Sequence, residues 1–99
     1  MNVSIIIVNY NTRKLLKNCI NSIYTFTKDI TYEIIVVDNN SMDGSQKMIK
    51  ENFTKVKLIE SNVNLGFGKA NNLGISETNI NPNNKYMTRG FLRDVPCAP

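Results

Sequence analysis

The sequence predicts an α/β fold, a Rossmann-like parallel sheet with helices on both faces. Residues 3–10 and 32–37 are β-branched and almost wholly apolar, as strands buried on both faces of a parallel sheet are. A segment with helical periodicity follows each of them, and this alternation is typical of right-handed crossovers in one sheet. The length of 99 residues and the hydrophobic content of 41% suit one small globular domain.

The first strand leads into an amphipathic helix. Asn11 and Thr12 are suited to cap its start. Apolar side chains then recur at helical spacing, at Leu15, Leu16, Cys19, Ile20, Ile23 and Tyr24. The second strand stops at the turn-forming cluster 38–41, and a second helix is predicted over 45–52.

The second half of the chain repeats this plan with shorter elements. Residues 56–59 predict a third strand, 60–68 a loop and 69–76 a third helix, before an asparagine-rich loop that ends at Asn84. Ligands of such sheets bind outside the carboxyl ends of the strands, so we expect the site in the loops that follow the strands.

The last thirteen residues differ from the rest of the chain. All sixteen asparagines lie at or before Asn84, and residues 87–99 show neither strand nor helix periodicity. We therefore predict one α/β domain over residues 1–86 and an irregular tail over 87–99. Two interpretations of the tail are open, the product of a shifted reading frame and a genuine surface segment.

Composition and charge exclude several classes of protein. The net charge of +4 is spread along the chain without a block of like charge, so we expect mild attraction for anions and no nucleic-acid partner. Histidine is absent, and Cys19 and Cys97 are far apart, which excludes the usual zinc sites and a histidine base. The chain has no predicted leader or spanning segment, so we expect a cytoplasmic location, with membrane association only through other parts of a larger protein.

Polar residues follow both long strands at the edge where ligands bind. They occupy positions 9–11 and 38–45. A carboxylate at the end of a buried strand can accept hydrogen bonds from a pyrimidine N3–H or from ribose hydroxyls, and we expect this role for Asp38. Asp43 lies in the sequence Asp-Gly-Ser, which predicts an Asx turn and a helix cap.

Four segments together resemble the N-terminal half of family 2 glycosyltransferases with a GT-A fold, and their rhamnosyltransferase-like branch most. They are SIIIVNYNT, LLKNCINSI, EIIVVDNNSMDGS and NVNLGFGKANNLGI, and they keep the family's order and approximate spacing over residues 2–76. The resemblance implies a partial GT-A fold. It also implies inverting transfer of a sugar from a UDP- or dTDP-sugar donor to an acceptor hydroxyl, helped by Mg²⁺ or Mn²⁺.

The resemblance places the nucleoside diphosphate of the donor between the loops that follow the three strands. Glycines at 66 and 68 permit positive φ and close backbone approach, and a helix that opens near Lys69 offers free N–H groups and a cation to the diphosphate. The predicted nucleotide-binding residues are Asn9, Tyr10, Asn11, Asp38, Asn40, Gly66, Phe67, Gly68, Lys69 and Asn72.

The resemblance also implies groups that this chain lacks. The family's acidic metal-binding motif follows a fourth strand, expected to begin just after Tyr86, and its catalytic base lies further on. Asp94 is the only acid in the tail, so we assign no metal ligand and no catalytic residue. We expect the cation only in a full-length parent, no turnover by this chain, and an open sheet edge that could pair with a second copy.

Two other classes share the α/β plan. A receiver-like interaction module needs an acidic pair after the first strand, where this sequence has Asn9 and Asn11. A nucleotidyltransferase needs a glycine-rich basic loop at the same place, and Asn-Tyr-Asn-Thr-Arg does not supply it. Both rank below the glycosyltransferase.

Overall fold

A parallel four-stranded sheet organises the chain. The computed structural model describes residues 2–78 and 85–91, the latter segment and residue 2 by their backbone alone. The elements are β1 (Asn2–Asn9), α1 (Arg13–Phe26), β2 (Thr31–Asp38), α2 (Ser45–Asn52), β3 (Lys57–Glu60), α3 (Gly66–Ser76) and β4 (Lys85–Phe91). The strand order is β3-β2-β1-β4 and every pairing is parallel, which confirms the predicted fold class.

Alternate residues of the two central strands supply two separate cores, because successive side chains of a strand point to opposite faces. On one face, Ile5 and Ile7 pack with residues of α1 and α2, among them Leu16 and Ile49. On the other face, the cluster contains Ile6, Val8, Ile35, Val37 and Ala70, the last from α3. Helices therefore cover both faces, as the alternating pattern predicts.

Helix α3 lies close to the sheet at Gly74. A Cβ atom built there would lie 2.5 Å from Cγ2 of Ile6 and 3.1 Å from Cγ2 of Val37. Side chains with a Cβ do not fit at such distances in a packed core, so the backbone of α3 rests directly on β1 and β2. Within the segments that the structure describes, no helix combines the length and apolar character needed to cross a bilayer.

Strand β4 corrects two expectations. Residues 87–91, predicted to be irregular, pair with Ile5 to Asn9 of β1. This strand also occupies the edge beside β1 that was expected to be open, so the argument for a dimer through that edge is wrong. A short segment with a weak pattern of its own forms a strand when a neighbour supplies the hydrogen-bond partners. Residues 92–99 lie outside the described part of the chain, and the shifted reading frame stays a prediction.

Candidate functional site

The loops that follow β1, β2 and β3 meet at one edge of the sheet. The backbone N–H of Asn39 donates to the carbonyl of Asn9 at 2.8 Å, and the N–H of Ser61 donates to the carbonyl of Asp38 at 2.9 Å. These bonds continue the sheet pairing one residue past the strand ends. The polar residues that the sequence places after separate strands are thus brought together, as expected for the carboxyl edge of a parallel sheet.

Asp38 is the centre of a buried hydrogen-bond network at this edge, with an exposed fraction of 1%. Its Oδ1 accepts from Nδ2 of Asn9 at 2.8 Å and from Oγ of Ser41 at 2.7 Å. Its Oδ2 accepts from the backbone N–H of Ser41 at 2.9 Å and from Nε2 of Gln46 at 2.7 Å. A carboxylate offers about four acceptor positions, so the chain itself occupies all of them.

Asn9 completes the network from β1. Both protons of its Nδ2 have acceptors, Oδ1 of Asp38 and, at 3.2 Å, Oγ of Ser41. Its Oδ1 accepts from Oγ1 of Thr12 at 2.7 Å. Asn9 and Asp38 therefore position the two loops relative to each other, and a nucleotide that contacted Asp38 would have to replace one of these internal bonds. Direct contact of either side chain with a ligand stays a prediction.

Two asparagines in the left-handed region turn these loops around each other. Asn11 has φ of 52° and Asn40 has φ of 66°, a conformation that asparagine tolerates better than other residues with a side chain. Oδ1 of Asn11 accepts from the N–H of Met42 at 2.7 Å, and its own N–H donates to Oγ of Ser41 at 2.9 Å. Tyr10 is half-buried beside them and Asn40 is exposed, so this pair of loops presents a polar surface at the edge.

Asp43 has the structural role that its local sequence predicts. Oδ1 accepts from the N–H of Ser45 at 3.0 Å, which closes the Asx turn at the start of α2, and from the Ser45 hydroxyl at 2.5 Å. Oδ2 accepts from the N–H of Arg13 at 2.9 Å, so one carboxylate caps the starts of both α1 and α2. Burial alone raises the pKa of the Asp43 carboxyl, but the hydrogen bonds from Ser45 and from backbone N–H groups outweigh it and hold the pKa below its usual value.

Asn39 joins the end of β2 to the start of α3, although it is not among the predicted nucleotide-binding residues. Its exposed fraction is 1%, its Oδ1 accepts from the N–H of Leu65 at 3.1 Å, and its Nδ2 donates to the carbonyl of Gly66 at 3.4 Å. Strand alternation could have identified Asn39. Because Asp38 faces α1 and α2, the next residue must face α3. Ser41, Gln46 and Thr12 were missed because their contacts depend on the packing of α1 and α2.

The start of α3 differs from the prediction. The helix begins at Gly66 and not near Lys69, so the predicted glycine loop forms its first turn. Gly66 has the expected positive φ of 78°, and its N–H donates to Oδ1 of Asn64 at 2.9 Å. Gly68, in contrast, lies in the helix without a positive φ, and a Cβ there would meet nothing within 4 Å, so the chain does not use the freedom that this glycine permits. Phe67, Lys69 and Asn72 are exposed along this helix.

The residues at this edge do not fit a divalent cation. Within residues 2–78, no cluster of three acidic, histidine or cysteine side chains is placed to hold a metal ion. Asp38 ends β2 and Asp43 lies in the loop after it, and both already accept hydrogen bonds from N–H and O–H donors. Glu60, at the end of β3, forms an ion pair with Lys50 at 3.0 Å. We therefore derive no chemical step through a metal from these residues.

The topology and the site define a Rossmann-like α/β protein with a polar site at the carboxyl ends of its strands. The family model of Glycosyl transferase family 2 matches residues 4–80. The chain thus belongs to this family, which confirms the family-level resemblance. By descent, the chain is part of a transferase. The match favours neither the receiver-like module nor the nucleotidyltransferase.

Curated relatives and solved structures agree with the family and the fold. The chain is 27% identical over 103 residues to glycosyltransferase AglE of Haloferax volcanii, covering 89% of this chain and 34% of that protein. It is 38% identical over 71 residues to the poly(ribitol-phosphate) beta-glucosyltransferase of Bacillus spizizenii, covering 67% of this chain and 11% of that protein. The chain therefore spans about a third or less of these relatives.

Two solved glycosyltransferase structures superpose on the chain at 25% identity each. One is the mannosyltransferase PcManGT from Pyrobaculum calidifontis in complex with GDP-Man and Mn²⁺, with a TM-score of 0.65 over 77% of this chain and 24% of that one. The other is TarS of S. aureus, with a TM-score of 0.71 over 89% of this chain and 27% of that one. Together they confirm the GT-A character of the partial sheet.

Proposed function

We propose that this chain binds the nucleoside diphosphate of a UDP- or dTDP-sugar at the carboxyl edge of its sheet. The observation that carries the proposal is the convergence of the loops after β1 and β2 with the start of α3. The buried side chains of Asn9, Asp38 and Asn39 hold these three segments together. Such convergence gives a preorganised surface for a ligand, and the family match over residues 4–80 indicates which ligand class to expect.

We assign the contacts with the nucleotide to those members of the predicted set that are exposed or half-buried. Tyr10 and Phe67 offer aromatic faces for the base, and Asn40 and Asn72 offer amides for polar groups of the nucleoside. Lys69 lies in the first turns of α3, where its ammonium group can offset the charge of the diphosphate.

The reaction belongs to the whole protein of which this chain is a part. Because the chain covers only a fraction of each relative, the catalytic groups are assigned to the remainder. We propose inverting transfer of a hexosyl group to an acceptor hydroxyl, in the rhamnosyltransferase-like branch, with Mg²⁺ or Mn²⁺ held by that remainder. A cation there would neutralise the leaving diphosphate, and the 99-residue chain alone is expected not to turn over.

The proposed setting is bacterial polysaccharide biosynthesis on the cytoplasmic side of the membrane. Support comes from the Bacillus relative, whose name specifies poly(ribitol-phosphate) as its acceptor, and from the S. aureus neighbour.

Calorimetric titration of the chain with UDP, dTDP and GDP tests the donor assignment. We expect UDP or dTDP to bind more tightly than GDP. Lys69→Ala should weaken diphosphate binding about tenfold, because a charge-assisted hydrogen bond is lost. Its matched control is Lys55→Ala, an exposed lysine at the other end of the sheet, which should leave the affinity unchanged.

Titration with uridine adds a second control. Uridine carries no diphosphate, so Lys69→Ala should leave its binding unaltered. Equal losses for Lys69→Ala and Lys55→Ala would contradict the role of Lys69, and absence of binding by all three nucleotides would contradict the proposed function.

A further inference from the structure

A basic groove runs between α1 and α2, on the outer side of these helices. It encloses about 500 Å³, and its lining residues are Arg13, Lys14, Lys17, Gly44, Lys47, Met48, Glu51 and Asn52. Both walls carry cations, since Arg13, Lys14 and Lys17 belong to α1 and Lys47 belongs to α2. In the sequence these charges look scattered, but the fold gathers four cationic side chains around one carboxylate, in a chain whose net charge is +4.

The cations of the groove are poorly neutralised by the chain. Lys47 forms an exposed ion pair with Glu51 at 3.7 Å, a kind of pair that is worth little. Within the described residues, no ion pair joins Arg13, Lys14 or Lys17 to a carboxylate. Three positive charges on a concave surface attract an anion more strongly than the same charges spread over a convex surface.

At one end of the groove, hydrogen bonds fix the starts of α1 and α2 next to the carboxyl edge of the sheet. Asp43 accepts from the N–H of Arg13 and fixes the start of α1 against the start of α2. Gly44 has φ of +84°, and a Cβ there would lie 3.2 Å from a guanidinium nitrogen of Arg13, so the missing side chain leaves room for that group. Arg13 and Gly44 lie at the starts of α1 and α2, directly after the loops that follow β1 and β2, so this end of the groove lies at the carboxyl edge of the sheet.

The lining favours one class of polyanion. Among the residues that the structure describes, no aromatic side chain lines the groove, so these residues offer no platform on which nucleic-acid bases could stack. Its apolar member, Met48, is 8% exposed and offers no anchor for insertion into a bilayer. A recess with lysines on both walls suits a linear chain of phosphodiesters better than the flat surface of a membrane.

We propose that the groove between α1 and α2 binds phosphate groups of a polyol-phosphate acceptor chain, next to the donor site. This inference rests on the proposed function, because it names the acceptor of the same transferase. The phosphates would pair with Arg13, Lys14, Lys17 and Lys47, while the polyol would make few contacts of its own. Binding should therefore depend strongly on ionic strength.

Binding of a short ribitol-phosphate oligomer to the 99-residue chain tests the proposal. In the variant Lys17→Glu/Lys47→Glu, affinity at low salt should fall at least about tenfold, since two attractive charges become repulsive. The matched control is Lys28→Glu/Lys55→Glu, which makes the same charge change at exposed positions outside the groove. The control should retain at least half of the affinity, and circular dichroism checks that each variant is folded. If the groove variant is unfolded, Lys17→Gln/Lys47→Gln replaces it, with Lys28→Gln/Lys55→Gln as control.

Three results would overturn the proposal. The first is an equal loss of affinity in the groove and control variants, and the second is no binding of the oligomer. The third is tighter binding of phosphatidylglycerol vesicles, or of a single-stranded oligonucleotide with the same number of phosphates, than of the oligomer. UDP titrations on the same samples separate this inference from the proposed function. If the groove variant loses oligomer binding but still binds UDP, the result supports the groove. If the wild-type chain does not bind UDP, the result contradicts the donor assignment alone.

Discussion

Asp38 and Asp43, five residues apart in the sequence, show how one sheet edge uses carboxylates in different ways. Asp38 is buried and accepts four hydrogen bonds from three side chains and one backbone N–H. Asp43 lies nearer the surface and accepts backbone N–H groups from two helices. The first holds the loops of β1 and β2 together, and the second holds the starts of α1 and α2 together.

Replacement of Asp38 by Asn tests its role in the network. The new amide would place an NH₂ group against donors, so we expect Asp38→Asn to lower the free energy of unfolding by about 2 to 3 kcal/mol. Asp29→Asn makes the same chemical change at an exposed residue with φ of 62°, where asparagine is tolerated, and should change stability by less than about 0.5 kcal/mol. Urea denaturation measures both, and similar losses would contradict the network role.

The lowered pKa of Asp43 predicts loss of stability in acid. A carboxyl whose folded pKa lies below its unfolded value stabilises the fold at pH values above the unfolded pKa, and this contribution disappears as pH falls through the folded pKa. The stability difference between wild type and Asp43→Asn should therefore be largest above pH 4 and shrink below it. Urea midpoints between pH 6 and about pH 2.5 measure it. A difference independent of pH would contradict the assignment.

At the residue scale, local chemistry allowed part of the site to be predicted. The role of Asp43 follows from the Asp-Gly-Ser sequence alone, because an Asx turn involves only neighbouring residues. The partners of Asp38 could not be predicted, since Gln46 reaches it only through the packing of α2 against the sheet.

Among the elements, α3 depends most on a single position. Gly74→Ala would force a methyl group against Ile6 and Val37, and we expect it to lower the free energy of unfolding by about 1 to 3 kcal/mol through overpacking. Gly68→Ala is the matched control in the same helix. A Cβ at Gly68 meets nothing within 4 Å, so this change should be neutral or stabilise by up to about 1 kcal/mol. Thermal unfolding distinguishes the two, and equal effects would contradict the close contact of α3 with the sheet.

The elements also show where sequence patterns suffice. The apolar runs of β1 and β2, four consecutive β-branched residues each, identify buried central strands, because both faces of such a strand are covered. β4 carries no such run, and its strand conformation comes from its pairing with β1. The start of α3 was placed three residues too late because glycines favour loops in isolation, whereas Asn64 and Asn39 hold this segment in place.

At the scale of the whole molecule, the fold sorts polar residues into two adjoining surfaces. The carboxyl edge of the sheet gathers the proposed nucleotide site, and the groove between α1 and α2 gathers cations that are scattered along the sequence. The fold class could be predicted because it depends on periodicity. The groove could not, because it depends on which faces of two helices lie side by side.

Titration of the ¹⁵N-labelled chain with UDP, followed residue by residue by NMR, is the sharpest test of nucleotide binding at the carboxyl edge of the sheet. We predict saturable changes in amide shifts that cluster at residues 9–11, 38–41 and 64–69, the three segments that meet at the carboxyl edge. Shift changes centred on residues 24–30 and 53–55, at the opposite end of the sheet, or no saturable change at all, would contradict it.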